Sequence, residues 1–290
     1  MTRIAYHILA YKEPDRVARL VNRVQTDSDY VSIHFDTLIG VKKFKEWKSF
    51  IEIKCPNKNI NIVSEFRCKW GSIGSVDTYL SAMGYFEKYD YDYFIPLSGD
   101  CYPIKSPEDI KKELSGKNVA FMEFFKLPSK AWWKGGLSRI NYLHYFLPRA
   151  SYPYVRICRI PRLKKGLPYN LEPYGGHGGF CLPKRHVGYI LQFVKDNPGL
   201  RKFFKHTFAP DEMFFETILL NSHFKSEVVN ECKKYSDFSD KRPHPKNLTI
   251  ADFEILKKSG KFFARKFQTG ESNDILDIID QEIDKTRIVS

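Results

Sequence analysis

Three consecutive runs decide the fold: RIAYHILA at Arg3–Ala10, PDRVARLVNRVQ at Pro14–Gln25 and YVSIHF at Tyr30–Phe35. The first and third runs are short, apolar and rich in β-branched and aromatic residues, which predicts buried strands. The second run opens with proline and an acid and spaces its apolar residues as a helix does. A strand, a helix and a second strand in this order favour a parallel sheet with helices on its faces.

The same alternation continues along the chain. It predicts a helix over Val41–Ile53, a strand over Asn59–Val63, a helix over Ser75–Lys88 and a strand over Tyr93–Leu97. Later helices are predicted over Lys130–Phe146, Lys184–Lys195, Asp211–Asn221, Ala251–Ser259 and Asn273–Asp284. We therefore expect an α/β fold with a mostly parallel central sheet flanked by helices, in a single domain over residues 1–290.

Polar residues stand where two of these strands end. Asp36 follows the second strand, and the turn Ser98-Gly99-Asp100 follows the strand that ends at Leu97. Ligands of parallel α/β sheets bind beyond the carboxyl ends of the strands. We therefore expect a ligand at this edge of the sheet, bound by these four residues.

The composition is that of a globular protein with a strong positive charge. The 290 residues include 47 Lys and Arg against 34 Asp and Glu, a formal net charge of +13, and 42% of them are hydrophobic. This profile excludes a disordered, collagen-like or coiled-coil chain. The charge fits a nucleic acid, an acidic membrane surface or an anionic substrate such as a nucleoside diphosphate. The basic run Arg156–Lys165 is either a solvated face or a patch for an acidic membrane or an anionic acceptor.

A basic nucleic-acid-binding protein is the alternative from another functional class. Phosphate contacts would explain the charge directly. They would not explain the alternating strands and helices, and no familiar nucleic-acid motif occurs in the sequence. We therefore expect no nucleic-acid partner.

The cysteines and the apolar runs bear on the compartment. The six cysteines form no CxxC pair, which indicates reduced thiols and no structural zinc. No apolar stretch approaches the roughly 20 residues of a membrane span, and no convincing signal peptide is present. These features predict a cytoplasmic protein with at most peripheral contact with the inner face of the cell membrane.

The stretch Ala209-Pro210-Asp211-Glu212 precedes an amphipathic run. Proline followed by acids is an ordinary helix start, because acids suit the positive end of the helix dipole. The same physics allows a functional interpretation. A carboxylate in a first helical turn is held ionised and can accept a proton from an attacking hydroxyl.

Arg265 and Lys266 lie between phenylalanines in the stretch FFARKF at 262–267. One interpretation is a solvated pair of cations. The other is that buried phenylalanines anchor the two side chains, which then bind a diphosphate and stabilise its leaving charge in place of a metal ion.

Two further patterns give weaker signals. The Asp-x-Asp patterns at 27–29 and 90–92 precede strands, whereas a metal site at a strand end needs its ligands after the strand, so no metal site is expected. The cluster Gly175–Gly179 is either a flexible loop or a place where the backbone approaches a ligand closely.

Six segments occur in the order found in one enzyme family. They are IAYHILAYK at 4–12, SIHFD at 32–36, KWGSIGSV at 69–76, YDYFIPLSGDCYPI at 91–104, APDEMFFETI at 209–218 and FFARKF at 262–267. With these segments the chain resembles, over nearly its whole length, the core-2/I-branching β-1,6-N-acetylglucosaminyltransferase and peptide O-xylosyltransferase family (glycosyltransferase family 14).

The resemblance implies a GT-A-like glycosyltransferase fold and an inverting, metal-independent transfer from a UDP-sugar. Residues 1–126 would then form the nucleotide-binding half, and residues 127–290 the acceptor-binding and catalytic half. The family's catalytic base corresponds to Glu212. Its diphosphate-binding residues correspond to Arg265 and Lys266. The branching enzymes have an additional arginine upstream of the tail lysine, for which Arg242 and Lys246 are the candidates in this sequence. No cofactor is implied, because the UDP-sugar is a substrate.

The resemblance also implies where the donor binds. Asp36 and the loop with Arg67, Cys68 and Trp70 correspond to the uridine pocket, although Cys68 stands where the xylosyltransferases have a hydroxyl residue. The glycine cluster lacks the Asp-Trp pair of the xylosyltransferase donor pocket. This difference favours N-acetylglucosamine as the transferred sugar, with UDP-xylose or another UDP-hexose as the alternative.

For the acceptor, the expected partner is a glycan or a lipid-linked oligosaccharide, bound by Glu123, Trp133 and His177. The chain resembles a bacterial member of the family that serves polysaccharide assembly. A sugar-binding scaffold that has lost catalysis is a third interpretation. The presence of the candidate base and of both candidate diphosphate ligands argues against it.

Overall fold

The computed structural model describes residues 2–56, 59–148, 155–164, 166–240 and 244–289. The strands are β1 (Ile4–Ala10), β2 (Tyr30–Phe35), β3 (Ile60–Val63), β4 (Tyr93–Ser98), β5 (Tyr102–Pro103), β6 (Ala120–Met122), β7 (Phe125–Lys126), β8 (Tyr142–Pro148), β9 (Val155–Pro161), β10 (Tyr174–Gly175), β11 (Phe180–Pro183), β12 (Val228–Asn230), β13 (Lys234–Ser236) and β14 (Phe263–Arg265). The α-helices are α1 (Pro14–Val24), α2 (Gly40–Lys54), α3 (Gly74–Phe86), α4 (Pro107–Leu114), α5 (Ser138–Asn141), α6 (Lys184–Asp196), α7 (Pro198–Phe204), α8 (Phe214–Leu220), α9 (Phe253–Lys258) and α10 (Asn273–Val289). Short 3-10 helices lie at Thr37–Ile39, Trp133–Gly136, Pro168–Asn170, Pro210–Glu212, His223–Glu227 and Ile250–Asp252.

The chain forms two compact units that interleave along the sequence. Unit 1 comprises Met1–Ser64, Asp90–Lys117 and Cys232–Ser290, and unit 2 comprises Glu65–Tyr89 and Asn118–Glu231. The functional division at residue 126, expected from the resemblance, stays a prediction.

Unit 1 contains a parallel sheet in the order β4-β1-β2-β3. Its strands are buried almost throughout, and α1 buries the apolar face that its sequence spacing predicts. Each fully buried aliphatic side chain stabilises the fold by about 1.5–3 kcal/mol. The ladder continues past the strand ends, where Asp36 N donates to Ala10 O (2.9 Å) and Gly99 N donates to Leu9 O (2.9 Å). The sheet thus brings the residues after β1, β2 and β4 to one edge.

A second, smaller sheet of unit 1 carries the tail segment. Strand β14 pairs in parallel with β13 and antiparallel with β5. Phe262, Phe263 and Phe267 around β14 are all buried. The sheet therefore fixes Arg265 and Lys266 close to the turn that follows β4, since Phe267 N donates to Asp100 O (3.1 Å).

Unit 2 has a short sheet in the order β12-β6-β11, with β12 parallel and β11 antiparallel to β6. Helix α8 is buried along its whole length and contacts β10 and α6. Strands β7 and β10 form one antiparallel pair, and β8 and β9 form a hairpin.

The predicted fold class is confirmed: an α/β protein with a mostly parallel sheet flanked by helices. The strands and helices predicted up to residue 97 all occur within two residues of their predicted ends. Among the described residues, no helix is long and apolar enough to span a membrane.

The helix predicted over Lys130–Phe146 is much shorter than expected: after a 3-10 turn at Trp133–Gly136, only α5 (Ser138–Asn141) is an α-helix, and the last five residues belong to β8. Gly135 and Gly136 adopt left-handed backbone angles (φ 74° and 78°), and a glycine pair in that conformation ends a helical segment. The aromatic residues that follow form β8 and pair with β9. The spacing of the apolar residues could not distinguish the two structures, because a short aromatic run is compatible with both a strand and a helix.

The predicted helix over Asp211–Asn221 is broken. Pro210–Glu212 is a separate 3-10 turn, Met213 leaves the helical region (φ −142°), and α8 begins at Phe214. Glu212 therefore does not lie in the first turn of α8, so the expected support from the dipole of that helix is absent.

Candidate active site

Unit 1 gathers a cluster of cations, which we call the cation cluster: Lys12, Arg16, Arg265 and Lys266. Two carboxylates, those of Asp100 and Glu13, lie among them. Lys12 Nζ lies 4.0 Å from Asp100 Oδ1 and 3.6 Å from Glu13. Arg16 is already occupied, because it pairs with Glu13 and donates to the carbonyl of Phe267. The cluster thus carries more positive than negative charge.

Lys266 shows the consequence of this excess. Burial is the largest cause of a lowered pKa for its ammonium group. Asp100 opposes the shift, while Lys12, Arg265 and Arg16 add to it by repulsion. The Nε of Arg265 is buried without a hydrogen-bond partner among the described residues. An anion bound beside these cations would relieve the repulsion.

The other residues of unit 1 that were predicted to bind the sugar donor lie at the edge of the parallel sheet where β1, β2 and β4 end. Asp36 is buried, and its Oδ1 accepts a hydrogen bond from Leu38 N (2.9 Å) at the start of a 3-10 turn. Ser98 Oγ lies 3.2 Å from the thiol of Cys101. Gly99 packs on β1, since a Cβ there would lie 3.2 Å from the Cβ of Ala10.

Lys246, one of the two candidates for the additional basic residue of the family, is paired with two carboxylates. Its ammonium group pairs with Asp252 (2.7 Å) and Asp237 (3.2 Å). These hydrogen bonds raise its pKa to about 12, with the bond to Asp252 the largest cause. The other residue considered, Arg242, lies outside the described residues.

In unit 2 the candidate base Glu212 is held by an ion pair. Arg139 Nη1 donates to Glu212 Oε2 over 2.6 Å. The guanidinium of Arg139 stacks on the ring of Trp132, 3.6 Å from its centroid, and lies 5.5 Å from the ring of Phe208. The Glu212 side chain is 34% exposed, so solvent or a substrate can reach it.

Two glycines of the cluster, Gly175 and Gly176, allow protein groups to approach the backbone closely. A Cβ at Gly175 would lie 2.6 Å from the Trp132 ring, and one at Gly176 only 2.2 Å from the carbonyl of Glu123. Gly176 N donates to Glu212 O (2.9 Å). Larger residues at these positions would displace the tryptophan and the base.

One turn beyond the base, the side chain of Glu216 is fully buried in α8. Neither carboxyl oxygen has a hydrogen-bond partner among the described residues. Burial raises its pKa to about 8, and the carboxylates of Asp211 and Glu212 add to the shift. The Glu216 carboxyl group is therefore mostly protonated at pH 7.

Glu123 and His177, two acceptor candidates, form a pair: His177 Nδ1 lies 3.0 Å from Glu123 Oε2. The His177 ring also contacts Phe125, with centroids 6.3 Å apart. Trp133 is separate from this pair, with 71% of its surface exposed and Lys134 over its ring. Its neighbour Trp132 is the tryptophan that contacts Phe125, with ring centroids 5.1 Å apart.

The predicted uridine loop lies at the start of α3. Arg67 is exposed, and its carbonyl would be 2.4 Å from a Cβ at Gly74. Cys68 is partly exposed and reduced. Trp70 is half-exposed and packs edge-on against Phe208, with centroids 5.3 Å apart.

The basic run Arg156–Lys165 lies mostly in β9, and part of it is not a solvated face. Arg162 donates to the carbonyls of Phe203 (2.9 Å) and His206 (3.2 Å). Arg159 is exposed and lies over the ring of Tyr142. Lys165 lies outside the described residues.

The Asp-x-Asp patterns have structural partners. Asp29 is buried and pairs with Lys111 (2.8 Å), and Asp92 accepts a hydrogen bond from Arg3 N (2.7 Å). Within the part of the chain that is described, no three His, Cys, Asp or Glu residues come together as a metal site. The expected metal independence stays a prediction.

Sequence reasoning missed four residues of these groups: Lys12, Arg16, Arg139 and Glu216. A signal existed for Lys12, which follows the first strand as Asp36 follows the second. None existed for Arg139, because the pairing with Glu212 spans 73 positions of the chain.

The fold and these groups define a class: an α/β protein with a cation cluster that is only partly compensated in one unit and a carboxylate paired with an arginine in the other. A family model described as "Core-2/I-Branching enzyme" matches residues 4–258, and the chain belongs to this family. The parallel sheet of unit 1, together with membership, confirms the expected GT-A-like fold class.

Two relatives illustrate the distance within the family. A mouse (Mus musculus) protein named beta-1,3-galactosyl-O-glycosyl-glycoprotein beta-1,6-N-acetylglucosaminyltransferase 4 is 23% identical over 92% of this chain. Mouse xylosyltransferase 2 is 24% identical over 96% of this chain. The chain spans 62% and 33% of the lengths of these two relatives, respectively.

Similar solved structures are more distant. The apo structure of the WbbM bifunctional glycosyltransferase aligns with a TM-score of 0.42 and 14% identity, covering 93% of this chain and 46% of that one. Residues 1–349 of S. aureus TarS align with a TM-score of 0.40 and 12% identity, covering 79% and 57%.

Proposed function

We propose that the protein is a glycosyltransferase that moves a sugar from a UDP-sugar to a hydroxyl group of an acceptor glycan. The observation that carries the proposal is the cation cluster, in which Lys266 is repelled by three other cations and Asp100 is the compensating carboxylate. A diphosphate is the complementary ligand, because fixed cations bind it and stabilise the charge it gains on leaving. The two relatives named above are sugar transferases by name.

The proposed reaction is a single displacement with inversion. Glu212 takes the proton of the acceptor hydroxyl while that oxygen forms a bond to the anomeric carbon of the donor. The bond from this carbon to the diphosphate oxygen breaks, and its electron pair leaves with UDP. Arg265 and Lys266 stabilise the UDP formed, so that the step proceeds without a metal ion.

The proposed substrates are a UDP-sugar donor and a glycan acceptor. N-acetylglucosamine is the favoured sugar, with UDP-xylose or another UDP-hexose as the alternative donor. The acceptor is a glycan or a lipid-linked oligosaccharide that contacts Glu123, His177 and Trp133. The protein acts in the cytoplasm or on the inner face of the cell membrane, and no cofactor takes part.

Ligand-dependent thermal stability tests this function. A ligand that binds the native state raises the melting temperature by mass action. We expect stabilisation in EDTA by UDP and more strongly by one UDP-sugar, with UMP much weaker because it lacks the second phosphate. No shift with any of these ligands would refute the donor assignment. A shift that requires Mn²⁺ would refute the metal-independent mechanism but not the transferase.

The stereochemistry of the product tests the displacement. NMR of a transfer reaction with the preferred donor should show a β-linked product from an α-linked donor. A product that retains the α configuration would refute the role of Glu212 as base of a single displacement.

A further inference from the structure

We propose that Arg139 is a positioning residue that holds the carboxylate of Glu212 ready for the acceptor, and that the ring of Trp132 supports Arg139 in this role. The inference rests on the proposed function and deepens it. The helix break at Met213 removes the dipole of α8 as a support for Glu212. In this inference Arg139 takes its place as the group that orients the base.

The hydrogen bond fixes one oxygen and leaves the other available. Arg139 Nη1 donates to Glu212 Oε2 over 2.6 Å, and no other side chain of the described residues donates to this carboxylate. Oε1 is therefore left to accept the proton of the acceptor hydroxyl. A base must be aimed at its proton before the reaction, because misplacement by about 1 Å can cost roughly 10²-fold in rate.

Arg139 is itself held on two sides. Its guanidinium stacks 3.6 Å from the centroid of the Trp132 ring, and the side chain is 17% exposed, less than the base that it contacts. A planar guanidinium can stack and donate at once, which an ammonium group cannot do. The pair therefore calls for arginine at position 139 and not only for a positive charge.

Two glycines in turn hold Trp132. A Cβ at Gly136 would lie 2.5 Å from Cε3 of the ring, and one at Gly175 would lie 2.6 Å from Cη2. The ring is thus enclosed by backbone that only glycine permits. The neighbouring Gly176 donates to the carbonyl of Glu212 (2.9 Å), so the same glycine segment fixes both the tryptophan and the backbone of the base.

Steady-state kinetics of Arg139→Ala and Arg139→Lys test the inference, with Arg201→Ala as the matched control. Arg201 forms an ion pair of similar geometry in the same unit, with Asp77 at 2.8 Å. We expect Arg139→Ala to lower kcat roughly 10²-fold while KM for the UDP-sugar changes less than threefold. Arg139→Lys should lower kcat about tenfold, since charge is kept and stacking is lost. Arg201→Ala should stay within twofold of wild type.

Chemical rescue separates positioning from mere structural support. Guanidinium ion at tens of millimolar should restore part of kcat in Arg139→Ala, because it fits between Trp132 and Glu212, and should restore nothing in Glu212→Gln. If the wild type is active and Arg139→Ala has the same kcat, the inference is overturned but the proposed function is not. The same holds if the losses of kcat in Arg139→Ala and Arg139→Lys only parallel their losses of melting temperature and guanidinium ion restores no activity. A wild type that turns over no UDP-sugar would overturn the proposed function and this inference with it.

Discussion

The two units treat charge in opposite ways. In unit 1, four cations lie near only two carboxylates, those of Asp100 and Glu13, and their mutual repulsion adds to the burial that lowers the pKa of Lys266. In unit 2, Glu212 has its own arginine and Glu123 its own histidine. An uncompensated cluster gains most from a bound anion, whereas a paired carboxylate is fixed before a substrate arrives. The difference predicts that substitutions in the cation cluster weaken UDP binding as well as turnover, whereas substitution of Glu212 slows the chemistry and leaves UDP binding unchanged.

The largest expected effect is that of Glu212→Gln. Removing a general base costs about 10²–10⁴-fold in rate, so kcat should fall by that factor. Stabilisation by UDP should be unchanged, because the substitution leaves the cation cluster intact. The matched control is Glu227→Gln, another glutamate of unit 2 paired with an arginine, Arg185. Near-normal turnover of Glu212→Gln, or loss of its response to UDP, would break the comparison.

Lys266→Met should have the next largest effect. We expect a loss of roughly 10²-fold in kcat and a smaller thermal shift with UDP, because charge on the diphosphate grows as the sugar leaves. Without UDP, the variant should be at least as stable as wild type, since a partly buried and repelled cation has been removed. Lys258→Met, on the exposed end of α9, is the control. A variant that keeps its full UDP response would exclude Lys266 from the diphosphate site.

Glu216→Gln should change stability rather than rate, and only above the pH at which free glutamate ionises. The pKa of the buried carboxyl is about 8 in the folded protein against an ordinary 4.5. Below pH 4.5 both states are protonated and the group has no effect. Between these values the unfolded chain ionises and the folded chain does not, so wild-type stability falls as pH rises.

Glutamine does not titrate, so Glu216→Gln should match wild type near pH 4.5 and exceed it by on the order of a few kcal/mol at pH 8 and above. Urea unfolding at several pH values measures the difference, with the exposed Glu254→Gln as control. A constant difference between variant and wild type across this range would show that the buried carboxyl does not hold its proton.

The fold was predictable from the sequence where local and long-range preferences agree. The apolar runs of β1, β2 and β4 favour strands by their local composition, and the parallel sheet pairs them as strands. Because the strands are parallel, the residues that follow them lie at one edge of the sheet. The prediction was wrong over most of Lys130–Phe146, where two glycines with left-handed backbone angles interrupt the helix and the aromatic run pairs with β9, a pairing that depends on residues outside the run.

The candidate site was predictable only in part, for the same reason. The motifs around Glu212 and Lys266 are contiguous in sequence, so each could be recognised on its own. The support of each is not contiguous: Arg139 comes from a turn 73 positions before Glu212, and Lys12 from the far end of the chain. Charge pairing across such separations depends on tertiary packing, which no local pattern encodes.

The smallest expected effect, that of Lys12→Met, tests whether the cation cluster acts as a unit. Whereas burial is the largest cause of the lowered pKa of Lys266, Lys12 is partly exposed and already lies near Asp100 and Glu13. Its contribution to UDP binding should therefore be about threefold at low salt, in the range of other exposed charges. It should disappear near 1 M salt, where the Debye length falls to about 3 Å. The deficit of Lys266→Met should persist in the same titration, because a partly buried charge is screened less. Equal and equally salt-dependent losses in both variants would show that the cluster binds UDP as a diffuse positive surface rather than through fixed contacts.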